Sequence, residues 1–133
     1  MVDQPAQSAE VAPLPYRTVT NATWPPAPVF SIKAVHAGDE VRILPRGELD
    51  IAARPELESL VGGLRFPSLR RVVVDLRALE FIDSTGVALV LDLAKAARAH
   101  GTHLVFVRGP QAVQRVLAVS GIERTLTFIE EPT

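Results

Sequence analysis

The chain has 133 residues, with 14 Lys and Arg against 15 Asp and Glu, and it contains no Cys. This length allows one domain with a sizeable core, and the near-neutral charge argues against binding to nucleic acid or to an anionic membrane surface. The absence of Cys excludes disulfides and thiolate chemistry. No apolar run approaches the ~20 residues that span a bilayer, and no signal-peptide pattern opens the chain, so we expect a cytoplasmic protein.

Residues 1–28 differ in composition from the rest of the chain. They contain six of the eleven prolines and have neither helical nor alternating periodicity. Such a segment buries too little apolar surface to offset the entropy lost on ordering. The sequence therefore predicts a Pro-rich flexible tail over 1–28, with Tyr16 and Trp24 as its means of weak docking, and one domain over 29–133.

A hairpin is predicted at the start of this domain. Phe30, Ile32 and Ala34 alternate with polar residues, as in a half-buried strand, and residues 37–40 form a turn. The returning strand covers 41–44. Pro45 cannot donate to a strand ladder, which predicts that this strand ends there or lies at a sheet edge.

Helices and buried strands alternate through the remainder of the chain. A β-branched run at 71–76 is typical of a strand covered on both faces, and the glycines at 62–63 and 101 end the helices that precede them. The predicted elements are a helix from Pro55 to Gly62, a strand over 71–76, a helix from about Ser84 to His100, a strand over 104–107, a helix from Pro110 to Gly121 and a strand over 126–129.

The resulting order β-β-α-β-α-β-α-β predicts an α/β domain with a mixed, mostly parallel sheet. Functional loops of such sheets lie beyond the carboxyl ends of the strands. Asp50 and Ser84 both fall in loops of this kind. We therefore expect them on one face of the molecule.

Several kinds of chemistry find no support in the sequence. The histidines lack metal-ligand spacing, and no glycine-rich phosphate loop of the Walker or dinucleotide type occurs, so neither metal nor cofactor is expected. A Ser-His-Asp triad stays open in principle, but it would need His36 or His103 beside Ser84, which lacks the G-x-S-x-G elbow. The residues around Ser84 also do not suit an aspartic protease, because a helix follows them. We expect no enzymatic activity.

The segment Phe81-Ile82-Asp83-Ser84-Thr85-Gly86 opens the longest predicted helix and has two interpretations. In the first, Asp83 or Ser84 caps the helix and contributes about 1 kcal/mol to stability. In the second, the Ser84 hydroxyl is reversibly phosphorylated, because a helix N-terminus tolerates added negative charge. The motif alone leaves both open.

Three motifs that follow one another along the chain favour the second interpretation. They are Gly47-Glu48-Leu49-Asp50 after a strand, the buried run Val72-Val73-Val74-Asp75-Leu76, and the segment containing Ser84. Together they resemble a STAS domain of the bacterial anti-sigma factor antagonist family, and the resemblance covers about residues 29–131. It implies helices packed largely on one face of the sheet. The family's phosphorylated serine corresponds to Ser84, with Thr85 as a minor alternative acceptor, and Asp50, Asp83, Thr85 and Gly86 correspond to docking positions.

The resemblance also implies partners and a regulatory cycle. The unphosphorylated antagonist binds an anti-sigma factor that is a serine kinase of the histidine-kinase-like ATPase fold, and this frees a sigma factor for transcription under stress. Phosphorylation separates the pair, and a metal-dependent serine/threonine phosphatase reverses it. The alternative is a non-phosphorylated STAS adaptor or scaffold subunit of a transport ATPase or stressosome complex, in which Ser84 is only part of a helix cap.

Overall fold

A computed structural model describes residues 30–131, and within this range the chain forms six strands, three helices and short 3-10 turns. The tail predicted over 1–28 lies outside the described residues. The elements are β1 (Phe30–Ala37), β2 (Glu40–Leu49), α1 (Arg54–Gly62), β3 (Arg71–Asp75), β4 (Leu79–Ile82), α2 (Ser84–Ala99), β5 (His103–Val107), α3 (Gln111–Val119) and β6 (Phe128–Ile129). None of the helices within residues 30–131 has the length and apolar character needed to cross a bilayer.

The sheet is mixed and mostly parallel, as predicted. Its strands follow the order β1-β2-β3-β5-β6, with β4 also paired to β2. Only the hairpin of β1 and β2 is antiparallel among the pairings of residues 30–131. The element order departs from the prediction by one strand, because β4 lies between β3 and α2.

The helices lie on one face of the sheet. Alternate strand residues such as Ile43, Val74 and Phe106 join buried residues from each helix, including Leu57, in a single apolar cluster. The strand residues that point the other way form a separate small cluster, consisting of Val73, Val105 and Val107 with Ile129 packed against it. The first cluster is the main core, and it fixes the helices relative to the strand ends.

Pro45 does not end β2, and β2 is not an edge strand, so the prediction at this position was wrong. Pro45 is buried within the strand and pairs with Ile32 of β1. On the other side of β2, the register with β3 stops at Ile43 and the register with β4 begins at Gly47. Pro45 falls between these two pairings, where no strand on that side needs a hydrogen bond from its backbone nitrogen. The missing N–H of proline is therefore tolerated at this position.

A network of four charged residues joins the sheet to the end of the described chain. Asp75, at the end of β3, is 7% exposed and accepts hydrogen bonds from Arg77 at 2.8 and 3.0 Å and from Arg42 at 3.3 Å. Glu131 pairs with both arginines. The Arg77 hydrogen bonds hold the pKa of Asp75 below its usual range, although burial acts in the opposite direction.

Asp75 makes the stability of the fold dependent on pH. The pKa of Asp75 is lower in the folded chain than in the unfolded chain. Ionised Asp75 therefore stabilises the fold fully above the unfolded pKa of about 3.9. This stabilisation is lost as the pH falls through the folded pKa. We expect Asp75→Asn to lower the free energy of unfolding by about 2 kcal/mol at pH 7. In urea titrations, the difference in free energy of unfolding between Asp75→Asn and the unsubstituted protein should become smaller towards pH 3.

Asp39→Asn is the matched control for this prediction. Asp39 pairs with Arg70 at 3.2 Å, and both side chains are more than half exposed, so the change should cost less than about 0.5 kcal/mol. If the loss in free energy of unfolding caused by Asp75→Asn stayed constant between pH 7 and pH 3, the stabilising role of the Asp75 charge would be contradicted.

Gly86 allows the first turn of α2 to approach the end of β2. A Cβ at this position would lie 2.5 Å from the carbonyl oxygen of Leu49 and 2.6 Å from Cγ1 of Ile82. Both distances are too short for real contacts, and the first neighbour is backbone. Only glycine therefore fits while α2 keeps its position against β2 and β4.

We expect Gly86→Ala to destabilise the protein by about 1–3 kcal/mol, because the helix must move away from Leu49. Gly62→Ala provides the control, since a Cβ at Gly62, the last residue of α1, meets nothing within 4 Å. That substitution should be neutral or stabilise by up to about 1 kcal/mol. Similar losses for the two variants in urea unfolding would refute the argument from close approach.

Candidate functional site

The candidate site lies where two neighbouring parallel strands end. Leu49 of β2 pairs with Ile82 of β4, and the N–H of Asp83 donates to the carbonyl oxygen of Leu49 at 3.3 Å. Asp50 and Asp83 each follow directly after one of these strands. The structure thus brings Asp50 close to the start of α2, at the carboxyl edge of the sheet where the sequence predicted it.

Asp83, and not Ser84, caps α2. Its Oδ1 accepts a hydrogen bond from the N–H of Gly86 at 3.0 Å, and its backbone is extended, as an N-cap requires. Ser84 is the first residue of the helix and is exposed. Within residues 30–131 its hydroxyl makes no hydrogen bond, so the cap does not depend on it.

Asp50 has a local structural role that the sequence did not reveal. Its Oδ1 accepts from the N–H of Ala52 at 3.0 Å and so caps a 3-10 turn over Ile51–Ala53. The side chain is half-buried. One carboxylate oxygen is engaged in this way, and the other has no partner among the described residues.

Thr85 and Gly86 differ in accessibility. Thr85 is half-buried, at the second position of α2. Gly86 is buried in the described chain, and its place in a docking surface stays a prediction. The lack of a side chain there allows the close contact between α2 and Leu49.

An apolar groove of about 360 Å³ runs beside Ser84. The opening turns of α2 form one wall and the end of α3 forms the other, and the accessible lining is almost entirely apolar. The lining residues are Ser84, Val87, Arg115, Val116, Val119 and Ser120. Arg115 and Val119 were not predicted as site residues, because no local pattern in the sequence shows that α3 packs next to the start of α2.

Three of the five large apolar side chains that are exposed in the described part of the chain lie at this end of the molecule. Ile51 is 68% exposed, Phe81 46% and Val119 83%. Ile51 follows β2, Phe81 lies in β4 just before the α2 cap, and Val119 lines the groove beside Ser84. Apolar surface of this kind, next to two carboxylates, is typical of a protein-binding surface.

A second groove, of about 470 Å³, lies away from these residues. It is lined by side chains of β1 and β2 together with Asp75 and Arg77, and it contains none of the predicted site residues. In the part of the chain that the structure describes, no three His, Asp or Glu side chains are grouped as metal ligands.

Comparisons with known proteins agree with this fold. The chain is 29% identical over 87 residues to the anti-sigma-B factor antagonist of Staphylococcus aureus (strain NCTC 8325 / PS 47), a match that covers 65% of this chain and 80% of the relative. An anti-sigma factor antagonist from Mycobacterium paratuberculosis superimposes with a TM-score of 0.66 at 24% identity, over 78% of this chain and 86% of that one.

The Bacillus cell fate determinant SpoIIAA, solved in its phosphorylated form, superimposes with a TM-score of 0.60 at 21% identity, over 77% of this chain and 91% of that one. At these identities the solved structures establish the fold alone. A family model described as "Mlab, STAS domain" matches residues 32–130, which is well over half of the chain. The chain therefore belongs to the STAS domain family.

Proposed function

We propose that this protein is an anti-sigma factor antagonist whose binding to its partner is switched off by phosphorylation of Ser84. The observation that carries the proposal is the position of Ser84: its hydroxyl is exposed at the first residue of α2, while Asp83 performs the capping. Modification of Ser84 therefore breaks no hydrogen bond within the described fold. The name of the Staphylococcus aureus relative supports the same function.

The electrostatics of the α2 start suit a phosphate that changes the surface without unfolding the domain. A phosphoserine carries about −1.5 to −2 charges at neutral pH. The unpaired N–H groups and the dipole of a helix start stabilise such charge, while the carboxylate of Asp83 beside it is repulsive. The fold tolerates the modification, and a partner that docks on this surface meets a large change in charge.

The docking surface consists of Asp50, Asp83 and Thr85 together with the exposed side chains of Ile51 and Phe81. Its carboxylates would attract a basic side chain of the partner, and the apolar side chains would supply buried area. Added negative charge on Ser84 is unfavourable there, because it must be desolvated when the partner docks.

The partner of this chain would be an anti-sigma factor that is also a serine kinase of the histidine-kinase-like ATPase fold. The Ser84 oxygen attacks the γ-phosphorus of the kinase's ATP, ADP leaves, and the kinase takes up the hydroxyl proton. Positioning and charge stabilisation account for most of such catalysis, and the kinase supplies both. A metal-dependent serine/threonine phosphatase then hydrolyses the ester with water and restores the hydroxyl.

We expect Ser84→Ala to bind the anti-sigma factor kinase in the presence of ATP without being released. Ser84→Asp should bind at least about tenfold more weakly, which corresponds to about 1.4 kcal/mol. Calorimetry measures both affinities, and intact mass after incubation with kinase and ATP should show one added phosphate on the unsubstituted protein and none on Ser84→Ala.

Thr85→Ala and Ser59→Ala serve as controls. Thr85→Ala tests the alternative acceptor and should still gain one phosphate. Ser59 is an exposed hydroxyl on α1, so its removal should change neither affinity nor phosphate content. If unsubstituted protein, Ser84→Ala and Ser84→Asp bind equally and no phosphate is added, the switch is refuted and a static STAS adaptor is the better description.

A further inference from the structure

Arg115 shares the apolar groove with Ser84. It lies on α3 and lines the groove together with Val116 and Val119, while Ser84 and Val87 line it from α2. Its side chain is exposed. The groove therefore places one cationic side chain opposite the hydroxyl at the helix start, with apolar surface between them.

Arg115 has no carboxylate within ion-pair distance among residues 30–131. Six arginines of the same region do pair with Asp or Glu, namely Arg42, Arg54, Arg70, Arg71, Arg77 and Arg108. Among the described arginines without such a pair, Arg115 is the one that lines the groove with Ser84. The guanidinium is a planar donor that binds phosphate oxygens in a bidentate manner. Within the described chain, no existing ion pair must be broken for Arg115 to accept a new anion.

We propose that Arg115 is the internal partner of the phosphate on Ser84. Once Ser84 is phosphorylated, the guanidinium of Arg115 crosses the groove and pairs with the phosphate, and its aliphatic stem covers Val87, Val116 and Val119. The inference rests on the proposed function, because it concerns the phosphorylated form of the same serine.

The pairing gives phosphorylation a second effect, on the apolar groove that adjoins the docking surface. The charge on the phosphate discourages the partner directly, and the stem of Arg115 removes apolar surface from the groove at the same time. The phosphate is then held by the start of α2 from one side and by Arg115 from the other, against the repulsion from Asp83. Arg115 thus determines how completely the phosphorylated form is closed to its partner.

The test uses the full chain with phosphoserine incorporated genetically at position 84, so that no kinase is needed. A ³¹P NMR titration at about 0.1 M salt measures the second pKa of the phosphate. Arg115→Ala should raise this pKa by about half a unit or more, because a nearby positive charge favours the dianion. Arg115→Lys should give an intermediate value, since an ammonium retains the charge but not the bidentate geometry.

Arg98→Ala is the matched control. Arg98 is exposed in the last turn of α2, fourteen residues or about 21 Å along the helix from Ser84, and should leave the phosphate pKa unchanged. Methyl NMR of Val119 provides a second readout: its signals should shift on phosphorylation in the unsubstituted chain and shift much less in Arg115→Ala.

Equal phosphate pKa values for the unsubstituted chain and Arg115→Ala would overturn the inference, as would a change of the same size in Arg98→Ala. These results are independent of the switch itself, because a kinase that failed to modify Ser84 would refute the proposed function without altering the titration.

Discussion

The close contact between the first turn of α2 and the end of β2 determines the architecture of the candidate site. Gly86 makes this contact possible, and the hydrogen bond from Asp83 to the Leu49 carbonyl holds it. Because the helix starts directly against a strand end, its unpaired N–H groups face the same edge as Asp50. The charged network around Asp75 lies elsewhere on the sheet, so the site at Ser84 and the ion pairs that anchor Glu131 do not share residues.

Much of the fold follows from patterns in the sequence. The β-branched run of β3 and the apolar stripe of α2 are recognisable because one period extends over enough residues to be distinctive. β4 is too short for that: Leu79-Glu80-Phe81-Ile82 does not alternate, and it exists because β2 continues beyond β3 and needs a second partner. The wrong prediction at Pro45 has the same cause. A proline is tolerated inside β2 because of the gap between its two partner strands β3 and β4, and only the tertiary structure creates that gap.

The site was predictable to the extent that it is encoded locally. A serine and an aspartate before an apolar helix indicate a helix start, and strand ends in a parallel sheet meet at one edge. Which of the two residues caps the helix depends on side-chain geometry that spacing does not specify. The burial of Gly86 depends on how α2 packs against β2 and β4, and the position of Arg115 depends on how α3 lies next to the start of α2. Neither contact leaves a trace in the neighbouring sequence.

At the start of α2, Asp83 caps the helix and Ser84 does not, and this difference has an evolutionary consequence. Because Asp83 alone caps α2, the hydroxyl of Ser84 makes no hydrogen bond that the described fold requires. Under the proposed switch, a substitution of Ser84 would leave the protein permanently able or permanently unable to bind its partner, at no cost in hydrogen bonds within the described fold. Regulation at this position would then be gained or lost by one substitution, while Asp83 and Gly86 remain required by the contacts that they make.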